Sequence, residues 1–301
     1  MKKQQPLVSV IIPVYNGCPF VAKAIQSIID QSYKNIELLI VDNGSTDDTP
    51  SVLESFQKQC TNRIKVYTFT SNKGAFFASN YALEKAKGHY IAMMDADDVS
   101  HTHRIASQVD YLQNNPQTIV LGTQATIINA KGKITGKKSM PLDHDTIYKQ
   151  FAIVHPMVHP SVMINRALLP NPNVLYTCKY GVNDDYYAFF KLLSHGKFAN
   201  LSQALLNYRV HSHNSSLTHL KEHFWAITKI RIEAITKLNY QAPFIAFPIM
   251  VLQTVIVSVL PENMLRELFY YIRGIKKITF HFKFPEFTFA KLRYYAATFL
   301  A

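Results

Sequence analysis

Apolar residues in the first hundred positions follow two alternating patterns. Val8–Ile12, Ile36–Val41 and Ile91–Met94 are apolar at nearly every position, and a shorter β-branched run lies in "RIKVYTF". Between them, apolar residues recur at helical spacing in "FVAKAIQSIIDQS", "STDDTPSVLESFQKQ" and "GAFFASNYALEKAKG". A short continuous apolar run reads as a strand covered on both faces, and the three-to-four spacing as an amphipathic helix. Strand alternating with helix in this way predicts an α/β fold: a parallel sheet with helices on both faces. Ser45 or Thr46 is expected to cap the second helix, and Gly88 to end the third. No internal repeat or low-complexity tract interrupts the pattern.

In such sheets ligands bind beyond the carboxyl ends of the strands. Three of those ends carry polar motifs: "PVYN", "DNGSTDDT" and "DADD". They are expected to converge on one crevice. Asp95, Asp97 and Asp98 are close enough in sequence to repel and to raise one another's pKa. A divalent cation would offset that repulsion, and oxygen ligands beside a diphosphate suit Mg²⁺ or Mn²⁺. Taken alone, the triplet reads equally well as a helix cap.

Composition narrows the class. Of 301 residues 48% are hydrophobic and 17% charged, so the chain can bury a large core and is not disordered. Lys and Arg number 32 against 20 Asp and Glu, a net charge of +12, which suits a polyanionic partner: nucleic acid, an anionic membrane or phosphorylated ligands. No clustered base-reading or phosphate-binding motif appears, so nucleic acid is not expected as a partner. Cys18, Cys60 and Cys178 have neither disulfide nor metal spacing, which fits a reducing compartment. The N-terminal apolar run is too short for a signal peptide and ends in Pro-Val-Tyr-Asn.

The ordered set "VSVIIPVYN", "LLIVDNGSTDDT", "NKGAFFASNYAL", "GHYIAMMDADD", "GVNDDYYAFFKLLSHG" and "YRVHSHNSS" resembles the inverting, nucleotide-sugar-dependent glycosyltransferases of family 2, over about residues 7–215. Within the family it is most similar to bacterial enzymes of lipopolysaccharide or capsule synthesis. The resemblance implies a GT-A, Rossmann-like fold: a nucleotide-binding half at about 1–100 and an acceptor half at about 101–240. It implies metal-dependent transfer of a hexose or N-acetylhexosamine from a UDP-sugar to a glycan or glycolipid hydroxyl. Pro13, Tyr15, Asp42, Asn43, Lys73 and Asp95 then fall at the nucleotide, with Tyr15 stacked on the uracil. Asn43 departs from the usual acid. Its oxygen could still accept the uracil N3–H, without charge assistance. Asp97 falls at the metal, and Asp98 behind it. Asp185 matches the base that takes the acceptor proton, and Asp184 stands on the acceptor side for the usual Glu. Arg209 and His211 correspond to a loop closing over the donor diphosphate. His213 lies in the same motif. His159, in "VHPMVHPS" with His155, corresponds to the acceptor wall. The prolines there oppose a helical zinc site.

Other readings lack their signatures. A sugar-nucleotide nucleotidyltransferase would want a Gly-rich, Arg-containing loop where "PVYNGCPF" stands. A processive synthase would want a Gln-x-x-Arg-Trp element, and the single Trp225 is not in one.

The end of the chain reads as a separate, membrane-associating helical extension, residues 241–301. "FIAFPIMVLQTVIVSVL" has no charged residue, but it falls short of the roughly 20 residues of a span and contains Pro248. After it, Leu265, Leu268, Ile272 and Ile275 share one helical face, and Arg266, Arg273 and Lys277 another. A basic amphipathic helix suits an anionic membrane surface. A span would leave these charges outside, against the positive-inside tendency. The expectation is therefore peripheral or monotopic attachment at the cytoplasmic face of the inner membrane. The donated sugar, the linkage, the acceptor and the oligomeric state are not legible in the sequence.

Overall fold

The computed structural model describes residues 5–60, 63–211, 214 and 218–272. The elements run β1 (Val8–Val14), α1 (Val21–Ile29), β2 (Ile36–Asp42), α2 (Thr49–Gln59), β3 (Ile64–Thr68), α3 (Ala75–Lys85), β4 (Tyr90–Met93) and β5 (Val99–Ser100). Then come α4 (Arg104–Asn114), β6 (Thr118–Asn129), β7 (Ile134–Lys138), α5 (His144–Gln150), β8 (Met163–Asn165), α6 (Asp184–Leu192) and β9 (Lys197–Val210). Three helices follow: α7 (Leu220–Lys237), α8 (Ala246–Val259) and α9 (Glu262–Ile272).

Among the described residues the strands form one sheet in the order β3-β2-β1-β4-β8-β6-β9-β5, with β7 on β6. The first four in that order are parallel, as the alternating pattern predicts, whereas β8 is antiparallel to both its neighbours. Alternation along β1 divides the core. Val8, Val10, Ile12 and Val14 join Val21, Ile25 and Ile28 of α1, while Ile11 joins Ala78, Ala82 and Leu83 of α3 on the other face. Both faces are covered, which is why these strands read as unbroken apolar runs.

β4 pairs with β1 only as far as Ile11, whereas β2 continues to Val14. Pro13, which has no N–H, falls where β1 has a partner on one side. β1 and β4 part there, and the crevice opens at that point.

Two local expectations change. α2 starts at Thr49, not at Ser45 or Thr46. Those two residues bond to the neighbouring loop instead: Ser45 Oγ accepts the Asn16 N–H at 2.9 Å, and the Thr46 N–H donates to Asn16 Oδ1 at 2.8 Å. The intervening Gly44 has φ +80°, and a Cβ there would come within 2.7 Å of the Ser71 backbone. α3 ends at Lys85, before Gly88. Gly88 serves close approach, since a Cβ would lie 2.4 Å from Ser9 N.

Among the described residues no helix is long and apolar enough to cross a membrane. Ala246, Gln253 and Val257 of α8 face inward, while Phe247, Val251, Leu252, Val255 and Val259 are exposed. In α9 Leu265 is buried, and the helix packs against α7. The rest of the predicted basic helix, from Arg273 onward, lies outside the described residues, as does His213.

Candidate active site

The acidic loop leaves β4 and returns through β5, which pairs with β9. That pairing carries Arg209 to the loop. Its backbone N–H donates to Asp98 Oδ1 at 2.7 Å and its Nε to the Asp97 carbonyl at 2.6 Å. Nη1 reaches the carbonyls of Asn129 and Ala130, and the guanidinium lies 4.7 Å from the Phe20 ring centroid. Arg209 was expected on a mobile loop over the diphosphate. It lies on β9 and is buried, and Nε and Nη1, bonded to backbone carbonyls, tie it to the acidic loop and to the end of β6.

Asp95, Asp97 and Asp98 each present a carboxylate oxygen within 4.8 Å of the others. Two buried guanidiniums oppose this charge. Besides Arg209, Arg104 sits at the end of β4, donating Nη2 to the Met93 carbonyl at 2.7 Å and Nε to Gln108 Oε1 at 3.1 Å. Burial lowers the Arg104 pKa to about 10, while Asp98 and Asp95 help to hold its proton. The compensation is incomplete. Burial first, then the charges of Asp97 and Asp185, push Asp95 up to about 7. Burial and the same cluster push Asp98 well above the ordinary carboxylate range. Asp98 Oδ2 is buried and has no hydrogen-bond partner among the described residues. An orphaned carboxylate oxygen in a tight acidic cluster fits a divalent cation, and the donor set suits Mg²⁺ or Mn²⁺.

His211 follows β9, and its Nε2 lies 2.8 Å from Asp97 Oδ2. Asn214 Nδ2 donates to the same oxygen at 3.1 Å, and Asn214 Oδ1 accepts the His211 N–H at 2.6 Å. The imidazole leans on Phe20, with centroids 5.0 Å apart.

On the nucleotide side, Tyr15 stands past the end of β1 with 48% of its surface exposed. Asp42 Oδ1 accepts the Ser45 N–H at 3.0 Å. Asn43 is buried, donates to Asn72 Oδ1 at 2.8 Å and accepts the Lys73 N–H at 2.9 Å. These two bonds tie the β2 loop to the loop before α3 and leave the amide a second N–H and a second oxygen lone pair. The Lys73 ammonium lies over the rings of Phe69 and Phe77, 5.1 and 5.4 Å from their centroids.

Across the crevice stands the start of α6. Asp184 is 0% exposed. Its carboxylate accepts from Thr177 Oγ1 and from the N–H groups of Cys178, Lys179 and Tyr180, at 2.8 to 3.2 Å. The expectation that it lines the acceptor side is corrected, since both oxygens are consumed by its own loop. Asp185 points the other way. Its Oδ2 lies 3.2 Å from His155 Nε2, and its Oδ1 accepts the Tyr186 N–H at 2.8 Å. Burial alone would raise the Asp185 pKa. The facing His155 and His159, with the Tyr186 N–H, outweigh it and hold the carboxyl below its ordinary value. His159 Nε2 contacts the Tyr176 hydroxyl at 2.8 Å, and burial lowers its pKa. The charge of Asp185 also raises the pKa of Asp95.

The structure thus adds Phe20, Arg104, Asn214 and the His155–Asp185 contact to the residues expected from sequence. His155 and Asn214 carried a sequence signal, their places in "VHPMVHPS" and "YRVHSHNSS", but nothing there named the partner of His155 thirty positions on.

Comparison with known proteins agrees with this geometry. The model of the family described as glycosyl transferase family 2 matches residues 9–170. An uncharacterized glycosyltransferase of Haemophilus influenzae is 32% identical over 240 residues, covering 77% of this chain and 74% of that protein. The O-antigen biosynthesis glycosyltransferase WbnJ of Escherichia coli is 31% identical over 209 residues, covering 68% of this chain and 80% of WbnJ. Among solved structures, S. aureus TarS 1–349 in complex with UDP superposes with a TM-score of 0.63 at 18% identity, covering 89% of this chain and 78% of TarS. The mannosyltransferase PcManGT of Pyrobaculum calidifontis, in complex with GDP-Man and Mn²⁺, gives 0.57 at 18% identity, covering 88% of this chain and 84% of PcManGT. At such identities these two speak for the fold. With a family model spanning more than half of its length and an acidic loop at the carboxyl end of a parallel sheet, the chain belongs to glycosyl transferase family 2, with a GT-A fold.

Proposed function

We propose that this glycosyltransferase moves a hexosyl or N-acetylhexosaminyl group from a UDP-sugar to a hydroxyl of a cell-surface glycan, with inversion at the anomeric carbon. The observation that carries the reading is Asp185: an acid held ionised beside His155, facing the acidic loop across the crevice. A base placed there takes the acceptor hydroxyl proton as that oxygen attacks the sugar from the side opposite the departing diphosphate. His155 keeps the carboxylate ready, and His159 walls the acceptor side. The exposed ring of Tyr15 offers the base a stacking face.

Asp97, Asp95 and His211 would hold Mg²⁺ or Mn²⁺, with Asp98 behind them. Such a cation supplies charge compensation to the leaving diphosphate. Arg209 and Arg104 act through the protein, holding the loop that presents these carboxylates.

Uridine is favoured because TarS binds UDP and UDP-GlcNAc in the same fold. A guanosine donor is the second reading. PcManGT binds GDP-Man in the same fold. The cell-surface acceptor follows WbnJ, an O-antigen enzyme.

Attachment to the cytoplasmic face of the inner membrane, peripheral or monotopic, is part of the proposal. Its support is the outer face of α8 and the residues before it. Phe244 is 88% exposed, and Ile245, Val251 and Val259 are each more than 60% exposed. Contiguous apolar surface of this kind marks an interaction site. The Arg and Lys residues that follow in sequence suit anionic lipid.

The test is a panel of UDP-sugars and GDP-sugars assayed with Mn²⁺, with Mg²⁺ and with chelator, followed by assignment of the product anomer by NMR. Metal-dependent turnover of one UDP-sugar with inverted product is expected. A retained anomer overturns the base assignment, and turnover of GDP-sugars alone overturns uridine.

A further inference from the structure

Two polar residues lie in otherwise apolar surroundings at the end of the chain. Arg231 stands between Ile230 and Ile232 in α7, and Gln253 lies within the uncharged stretch that forms α8. Both are buried, at 4% and 2% exposure. A buried guanidinium is costly unless its donors find acceptors. Arg231 Nη1 donates to Gln253 Oε1 at 2.8 Å, Nε to the Tyr186 hydroxyl at 3.1 Å, and Nη2 to the Ile153 carbonyl. Gln253 Nε2 donates to that same carbonyl at 3.2 Å, and the Tyr186 hydroxyl donates to the Phe151 carbonyl.

These contacts end beside the proposed base. Tyr186 directly follows Asp185 and gives it a backbone N–H. Ile153 lies two residues before His155, whose ring packs 5.2 Å from that of Tyr186. Each half of the Asp185–His155 pair is therefore one short step from an acceptor of Arg231. Gln253 brings α8 into the same junction. An apolar pair of similar volume would fill the space, but it would leave the Ile153 carbonyl and the Tyr186 hydroxyl without these donors. It would also leave the segment 151–155 and the start of α6 free to shift independently.

We infer that Arg231 is a positioning residue for the proton-accepting pair, and that Gln253 makes the seating of α8 a condition of that positioning. The helix whose outer face is open to a lipid surface is, on its inner face, bonded to the shelf that carries His155. This rests on the reading of Asp185 as the base.

The test uses the full-length protein and compares Gln253→Leu, which keeps volume but removes the acceptor, with Gln253→Glu, which keeps an acceptor. Arg231→Lys is the milder partner of an Arg231→Met that could unfold. Displacement of a catalytic pair by a fraction of an ångström lowers turnover by about tenfold or more, so Gln253→Leu should reduce kcat by that factor. Its donor KM, UDP affinity and melting profile should stay close to wild type. The acid limb of kcat should move to higher pH. The groups facing Asp185 are His155 and His159 from the segment between α5 and β8, Tyr176 from the loop before α6, and Asp95 from the acidic loop. Loosening the His155 contact leaves the charge of Asp95 less opposed. Gln253→Glu keeps the acceptor for Arg231 Nη1 but loses the donor to the Ile153 carbonyl, so it should restore the rate only in part. Wild-type kcat and limb in Gln253→Leu and Arg231→Lys overturn the inference, as does a loss of kcat that only tracks melting temperature with an unmoved limb. Asp185→Asn separates the two ideas. If it is active, the base assignment is wrong; if it is inactive while Gln253→Leu behaves as wild type, only the positioning role fails.

Discussion

Asp184 and Asp185 are adjacent in sequence and face opposite ways: the first closes its carboxylate on four donors of its own loop, and the second turns its carboxylate to His155. The difference predicts different failures for the same substitution. Asp185→Asn should fold and bind UDP, yet lose transfer by the roughly 10²–10⁴-fold typical of a missing general base. Asp184→Asn replaces an acceptor by a donor against N–H groups and should cost about 1–3 kcal/mol of stability. Urea unfolding and steady-state transfer assays on both variants read the two effects separately. A stable, inactive Asp184→Asn would reverse the assignment.

His155→Gln should change the pH dependence more than the fold. The Asp185 carboxyl is held low by the histidines and the Tyr186 N–H against burial. A carboxylate with a lowered pKa adds stability above its unfolded pKa, and loses it as pH falls through the folded value. Removing His155 raises that value, so acid unfolding should begin at higher pH. The acid limb of kcat should move to higher pH. Rate profiles at saturating metal check this, and an unmoved limb would exclude His155 as the partner that matters.

Asp97→Ala should remove the metal dependence of nucleotide binding. Asp97 Oδ2 lies beside both His211 and Asn214, so its loss strips one corner of the candidate cation site and frees the others. Charge compensation of the leaving group is worth several kcal/mol, so turnover should fall by about three orders of magnitude or more. Calorimetry of UDP with and without Mn²⁺ gives the direct reading: the wild type should show a metal-dependent gain and the variant none.

Phe244→Ser combined with Val251→Ser and Val255→Ser changes only exposed positions. Each full-sized apolar side chain transferred from water is worth about 1.5–3 kcal/mol, so flotation with anionic vesicles should weaken by orders of magnitude. UDP binding should not change. Undiminished flotation would assign attachment to the basic tail alone.

The parallel half of the sheet was legible because its strands are buried on both faces and its helices on one, and that contrast survives in a single sequence. The strand-end motifs were legible for a related reason: polar residues stop an apolar run where the crevice begins. Long-range partners were not. Arg104 reads as the start of an ordinary helix, yet it supports the acidic loop through the Met93 carbonyl. Arg209 reads as a phosphate ligand, and its place on β9, paired with β5, also bonds it to the acidic loop. Asn43 reads as a base contact, and its bonds to Asn72 and the Lys73 N–H add a loop-tying role. In each case the deciding neighbour comes from another element, and no local periodicity encodes it.

The pairing of β4 with β8 has a bearing on how this chain can be divided. β4 carries the acidic loop, and one of its two edges is completed by Met163–Asn165, far along the chain. A fragment ending near residue 100 would keep every nucleotide-side motif but present a raw, apolar strand edge of the kind that templates self-association. The first hundred residues are therefore not a module that could be borrowed, exchanged or expressed by themselves. Any recombination between relatives would have to carry residues 163–165 with them, so inheritance of the donor-binding half is tied to a short strand in the other half.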